Sequence, residues 1–228
     1  MSTEKFIIQS VGAEGDGVAD SPSGPVFIPF ALPGEDVAVA RVKNQATIMS
    51  IASASPDRVT PACRHFGPDA PGGACGSCTL QHWAAAPYQD FKRQRVIQSL
   101  ASRGLEAYVG DLVTAEPGQR RRLALTGRAT EKGVVLGFSQ HQSNLIVPIS
   151  ECPVASPGIV RQLPSIRRIA EALAGGSEPF RVTVLETLSG LDLAFDGTKK
   201  LDDRRRHVAI DAVLAEKSVA RVSLDGEI

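Results

Sequence analysis

A chain of 228 residues with zero formal net charge, 43% hydrophobic and 22% charged residues has a globular composition, which excludes disordered and fibrous classes. Zero net charge also excludes a protein that coats polyanions through bulk electrostatics, although basic clusters stand at Lys92-Arg93-x-Arg95, Arg120-Arg121-Arg122 and Arg204-Arg205-Arg206. No stretch reaches the roughly 18 apolar residues of a membrane span, so a cytoplasmic location with no membrane partner is expected.

The first 58 residues read as short strands with Gly and Pro between them. Phe6-Ile7-Ile8, Val26-Phe27-Ile28, the run 37–42 and the run 46–51 are the strands, broken at 12–17, 21–25 and 32–35. Four or five strands in so few residues predict a small closed, OB-like barrel, because an open sheet of that size leaves edges and too little core. Phe6, Phe27 and Phe30 are its aromatic residues, and at least two of them are expected in its core.

Residues 59–228 read as a second, central domain of antiparallel sheet with helices and a metal-cluster loop, so the fold class is α+β, mainly β. From Cys63 to Cys78 the chain is rich in Gly and Pro without periodicity, a loop whose order must come from what it binds. A helix is predicted from Pro87 to about Leu100, ended by Gly104. Three strands follow at 122–126, 134–138 and 145–149. A helix over about 159–173, a hairpin over 181–187 and 191–195, a helix over about 202–217 and a strand over 219–224 complete the order.

Cys63, Cys75, Cys78 and Cys152 are the candidate metal ligands. In a reducing compartment they are poor candidates for disulfides, and a C-x2-C turn places two thiolates on one side of a tight loop. Cys152-Pro153 matches the Cys-Pro pairing at cluster ligands of bacterial ferredoxins. On spacing alone, zinc and an iron–sulfur cluster are equally open. His82 reads either as a group hydrogen-bonded near the metal centre or as a buried structural histidine, with Gln81 beside it, and His65 as a solvent-exposed histidine.

The run Pro61-x-Cys63, Cys75-Gly76-Ser77-Cys78-Thr79-Leu80-Gln81-His82 and Tyr88-x3-Lys92 resembles the signature of the S-adenosylmethionine-dependent RNA uridine-C5 methyltransferases, 23S rRNA type. The segments Arg120-Arg121-Arg122-Leu123, Leu136-Gly137-Phe138 and Val147-x4-Cys152-Pro153 resemble the central domain of that family. Gly15-Asp16-Gly17-Val18-Ala19 and Leu32-Pro33-Gly34-Glu35 are similar to its TRAM barrel. The resemblance covers essentially the whole chain in family order. It implies that the four cysteines hold a [4Fe–4S] cluster of structural role. The loop between the first two ligands has eleven residues where the family has about five or six, a lengthening that costs little closure entropy.

The resemblance further implies RNA, ribosomal rather than transfer RNA, as partner, with Arg120, Arg121, Arg122, Phe138 and His141 against it. Residues 88–118 would pack on a catalytic domain, and their apolar side chains, left without it, would be exposed or support self-association. No catalytic residue is assigned: uridine methylation needs a nucleophile, a base and a cofactor domain, and no Gly-rich strand–turn–helix for S-adenosylmethionine is found. The chain is thus expected to be about the first half of such an enzyme, without methyl transfer of its own. A stand-alone metal-containing RNA-binding module and an electron-transfer protein are the competing readings.

Overall fold

Runs of alternating apolar and polar residues dominate the first fifty positions, and in the computed structural model, which describes residues 3–198 and 200–227, they form six strands. These are β1 (Thr3–Ile7), β2 (Ser10–Val11), β3 (Gly17–Ser21), β4 (Gly24–Ile28), β5 (Asp36–Val42) and β6 (Gln45–Ser53). They belong to a compact unit of Met1–Ala62, Phe66–Pro68 and Cys78–Thr114 that also holds α1 (Ala85–Ala101). A second unit comprises Cys63–His65, Asp69–Ser77 and Ala115–Ile228.

The strand order of the first unit is β1-β5-β6-β4-β3-β2, antiparallel except for the β4–β6 contact. Only Ile8 and Gln9 separate β1 from β2, and the Gln9 amide donates to the Val18 carbonyl at 2.9 Å. The two ends of the order are therefore one continuous strand, and the sheet closes on itself. The core is aliphatic, with Ile8, Val26, Ile28, Val37 and Val39 at its centre. The expectation that two phenylalanines fill it is not met: Phe6 alone packs against it, partly buried, because small and branched side chains already fill so narrow a closed sheet.

Glu35 is fully buried at the turn into β5 and accepts four hydrogen bonds. Its carboxylate takes the amides of Leu32 at 2.9 Å and Ser55 at 3.2 Å, and the Arg58 guanidinium through Nε at 2.5 Å and Nη2 at 2.7 Å. Arg58 Nη2 also donates to the Phe30 carbonyl at 2.7 Å. Burial acts to raise the Glu35 pKa, but the bonds to Arg58, Leu32 and Ser55 outweigh it, so the carboxyl titrates below its ordinary range. This one side chain ties the β4–β5 loop to the segment that leaves the barrel. Beyond Arg58 the chain pairs with the approach to α1: the Val59 amide donates to His82 O at 2.9 Å and the Ala84 amide to Asp57 O at 2.8 Å. Helix α1 carries no buried residue, and Gly104, at φ +69°, turns the chain after its end.

The second unit is a sheet of order β12-β11-β10-β7-β8-β9, built from β7 (Arg122–Thr130), β8 (Gly133–Ser139), β9 (Ile146–Pro148), β10 (Phe180–Thr187), β11 (Gly190–Asp196) and β12 (Val219–Leu224). The sheet is mixed rather than wholly antiparallel as expected: β11 and β12 pair in parallel, because the helix of Asp203–Leu214 between them returns the chain to the same end of the sheet. Helices α2 (Pro157–Arg161), α3 (Leu163–Leu173) and α4 (Asp203–Leu214) complete it. The single helix expected over 159–173 is two, because Pro164 cannot donate to the carbonyl four residues back and its ring would meet it, so the helix restarts at Leu163. Leu163, Ile166, Ile169, Ala170 and Leu173 line the buried face of α3 at helical spacing, over Leu125, Leu136, Val182, Val184, Leu193 and Phe195 of the strands. Both units are sheet with few helices, as the sequence suggests, and no helix among the described residues is long and apolar enough to cross a membrane.

Replacing Glu35 with Ala leaves the Arg58 charge and two amides without their acceptor, and should lower unfolding free energy by about 3 kcal/mol in urea titrations. Because the folded Glu35 pKa lies below its unfolded value, this contribution is present above the ordinary carboxylate range and is lost as pH falls through the lowered value. The Ala variant should therefore lose less stability than the parent on acidification.

Candidate functional site

Three of the four cysteines lie in the second unit, and backbone hydrogen bonds bring their segments together. The Cys75 amide donates to the His65 carbonyl at 2.8 Å, linking its loop to the segment of Cys63. The Arg64 amide donates to Glu151 Oε1 at 2.9 Å, and its guanidinium reaches Glu151 Oε2 at 3.5 Å and Ser150 Oγ at 2.5 Å. The residues adjoining Cys63 and Cys152 in sequence are thus bonded directly to each other. Cys63 and Cys75 are buried and Cys152 is half-buried, partly packed on the core beneath the sheet.

The loop of Cys75 lies along the turn between β8 and β9. Cys75 forms a β-bridge with Gln140, the His141 amide donates to Ala74 O at 3.0 Å, and the Gly76 amide donates to Ser139 O at 2.9 Å. A Cβ on Gly76 would stand 2.8 Å from Ser139 O and 3.0 Å from the His141 amide nitrogen, so only glycine fits this approach. The sequence suggests Gly76 as a turn-former; the structure adds that it lets two backbones meet.

His65 is a correction: expected at the surface, it is 6% exposed, because its ring lies beside the chain entering Cys152 and accepts the Ser150 amide through Nε2 at 3.3 Å. Burial, with a smaller push from Arg64, holds its pKa below the usual histidine range against an opposing pull from Glu151. The neutral ring this implies is the form that can accept at Nε2.

Cys78, Gln81 and His82 belong to the first unit. His82 is 1% exposed and stacks on Phe66, with ring centroids 5.4 Å apart, while Phe30 meets both rings edge-on. Neither ring nitrogen makes a hydrogen bond of ordinary geometry, and burial, reinforced by the Arg58 charge, lowers its pKa from 6.5 to about 4. Gln81 is half-buried beside it.

Among the described residues, no three or more His, Cys, Asp or Glu side chains are grouped to hold a metal ion. The fold instead braces the loops that carry Cys63, Cys75 and Cys152.

Of the residues expected against RNA, Arg120, Arg121 and Arg122 are all exposed, with the Arg120 backbone bridged to Ala155. Phe138 is partly buried and packs against the sheet's hydrophobic core, and His141 is half-buried. The braces Arg64, Glu151 and the Ser139–His141 turn were not marked by any motif; the Gly between Cys75 and Ser77 was the one local sign of a close approach.

No family model matches the sequence. The chain is similar to an uncharacterized RNA methyltransferase of Agrobacterium fabrum, 55% identical over the whole chain and 55% of that protein. It is also similar to the 23S rRNA (uracil(1939)-C(5))-methyltransferase of Halomonas elongata, 35% identical over 90% of the chain and 42% of that protein. Among solved structures, the tRNA (uracil-54, C5)-methyltransferase of Pyrococcus abyssi, in complex with S-adenosyl-L-homocysteine, shares the fold over 90% of the chain and 48% of its own length, with a TM-score of 0.60 and 22% identity. The chain thus spans about half the length of the relatives it matches.

Two outcomes test the local readings. Gly76→Ala should push the Cys75 loop off the β8–β9 turn, seen as faster hydrogen exchange at the Gly76 and His141 amides with the rest of the sheet unchanged. Because His82 is neutral when folded and protonates near 6.5 when unfolded, its contribution is complete above pH 6.5 and is lost as pH falls toward 4. A His82→Leu variant should flatten the decline in thermal midpoint across that window.

Proposed function

We propose that this chain is the RNA-binding and iron–sulfur portion of an enzyme that methylates C5 of uridine in ribosomal RNA. The observation that carries this reading is identity along essentially the whole chain with RNA methyltransferases, one of which is named for 23S rRNA uracil-C5. The closed sheet of the first unit supports the TRAM-type, OB-like barrel implied by the sequence resemblance, a fold that grips nucleic acid.

In this reading Cys63, Cys75, Cys78 and Cys152 hold a [4Fe–4S] cluster. The bracing of the Cys63, Cys75 and Cys152 segments supports it, and Cys78 follows Cys75 by three residues, so chain reach alone keeps it within about 10 Å. When bound, the cluster supplies cross-linking of loops that have little core of their own; no redox step enters methyl transfer.

Arg120, Arg121 and Arg122 offer positive charge to RNA phosphates and His141 a ring at the same surface; Phe138, partly buried against the core, supports that surface from beneath rather than stacking on a base. The nucleophile, the base and the site for S-adenosylmethionine belong to the portion of the relatives that this chain does not span. The exposed faces of α1 and of residues 105–113, with Tyr108 91% and Val113 95% exposed, suit packing against that portion.

The test is methyl transfer by the protein extended to the full length of its relatives. With labelled S-adenosylmethionine and unmodified 23S rRNA it should yield 5-methyluridine, whereas residues 1–228 alone should yield none. Transfer to another base or atom, or no transfer to rRNA, would contradict the assignment.

A further inference from the structure

Helices cover one face of the second sheet, and strand alternation decides what stands on the other. Leu123 and Leu125 of β7 and Val182 and Val184 of β10 are buried on the helix side. The intervening Arg122, Ala124, Thr126 and Arg128, and Arg181 and Thr183, therefore stand on the opposite side. The register sets Arg181 opposite Thr126 and Thr183 opposite Ala124, with Ala194 of β11 on the far side of Thr183.

This face is a floor of short side chains between arginines. Arg128 and Arg181 stand toward one end and Arg122 toward the other, and the six residue steps from Arg122 to Arg128 span about 20 Å of extended strand. Of the two acidic residues on β11, Asp192 is already bonded in bidentate fashion to Arg221, leaving Asp196 near Arg181. Arg128 Nε is shielded from solvent and has no hydrogen-bond partner among the described residues. A donor of a charged group withdrawn from water without an acceptor is unfavourable, and the half-buried Arg128 is thus a cation on this face with unspent hydrogen-bonding capacity.

We propose that this helix-free face binds the phosphodiester backbone of an RNA strand. Arg128 and Arg181 hold phosphates at one end and Arg122 at the other, with the Thr126 and Thr183 hydroxyls between them. The inference rests on the RNA-binding reading above and adds a surface to it. Leu185 is the one large apolar side chain toward the Arg122 end, and no aromatic ring stands on the β7 and β10 positions of the floor. The face therefore grips charge and length rather than stacking on bases, which favours a nucleic acid backbone over an apolar protein partner.

Fluorescence anisotropy of a labelled, unstructured RNA 20-mer with the 228-residue chain, across a potassium chloride series, tests this. Arg128→Gln and Arg181→Gln should each weaken binding about fivefold and reduce the slope of log Kobs against log salt by about 0.7. Thr183→Lys should tighten binding and steepen that slope, while Thr183→Glu should weaken it about tenfold. Arg204→Gln, on α4, should leave both unchanged. A folding defect would weaken every variant, so failure of Thr183→Lys to tighten binding overturns the proposal. If the parent binds RNA while the Thr183 pair has no effect, the face is wrong and the RNA reading stands; if the parent binds no RNA, both fall.

Discussion

The second unit depends on one set of hydrogen bonds: those by which a loop with no periodic structure is laid against a sheet. Residues 73–77 carry too few large apolar side chains to be held by burial, so their position comes from backbone pairing with the Ser139–His141 turn and with His65. Arg64 and Glu151 then fasten the Cys63 segment to the chain that leaves β9. Each bond between backbone groups contributes only about 1 kcal/mol, but together they confine a long loop whose closure entropy grows only slowly with length. This is why a loop of eleven residues between Cys63 and Cys75 is tolerable.

The first unit solves a similar problem with charge. A closed sheet of short strands has a thin aliphatic core, and the buried Glu35 with Arg58 connects its loop, its exit segment and the Phe30 carbonyl at one point. A buried pair of this kind adds little net stability relative to an apolar substitute, but removing one partner is costly, so it fixes one geometry. The same segment delivers His82 into a nest of Phe30 and Phe66, where desolvation keeps the ring neutral.

Most elements were legible because their residues obey simple periods. The alternation in 181–187 and 191–195 and the i, i+3, i+7 stripe of α3 appear in the structure where the sequence places them. Strand β3 was not seen: Gly17-Val18-Ala19-Asp20-Ser21 has glycine, alanine and serine on its inward positions and so lacks the apolar alternation of a strand. Burial of His65 was equally invisible, because its partner Ser150 is 85 residues away and no local pattern encodes that contact. Phe138, expected against RNA, is partly buried and packs on the core, because the two-residue period from Leu136 carries it to that side. Spacing marks the four cysteines as candidates, whereas the braces around the Cys63, Cys75 and Cys152 segments left no sign in the sequence, since they are made largely by backbone atoms that any sequence supplies.

Function follows from this division of labour. Two sheet units, one closed and one carrying helices on a single face, present basic side chains on strands, and in the proposed reading a cluster adds a cross-link to the hydrogen-bonded cysteine loops. The most direct test of that account is iron and acid-labile sulfide analysis of the anaerobically purified protein. The account predicts about four irons and four sulfides per chain. A colourless protein with one zinc and no iron would contradict it.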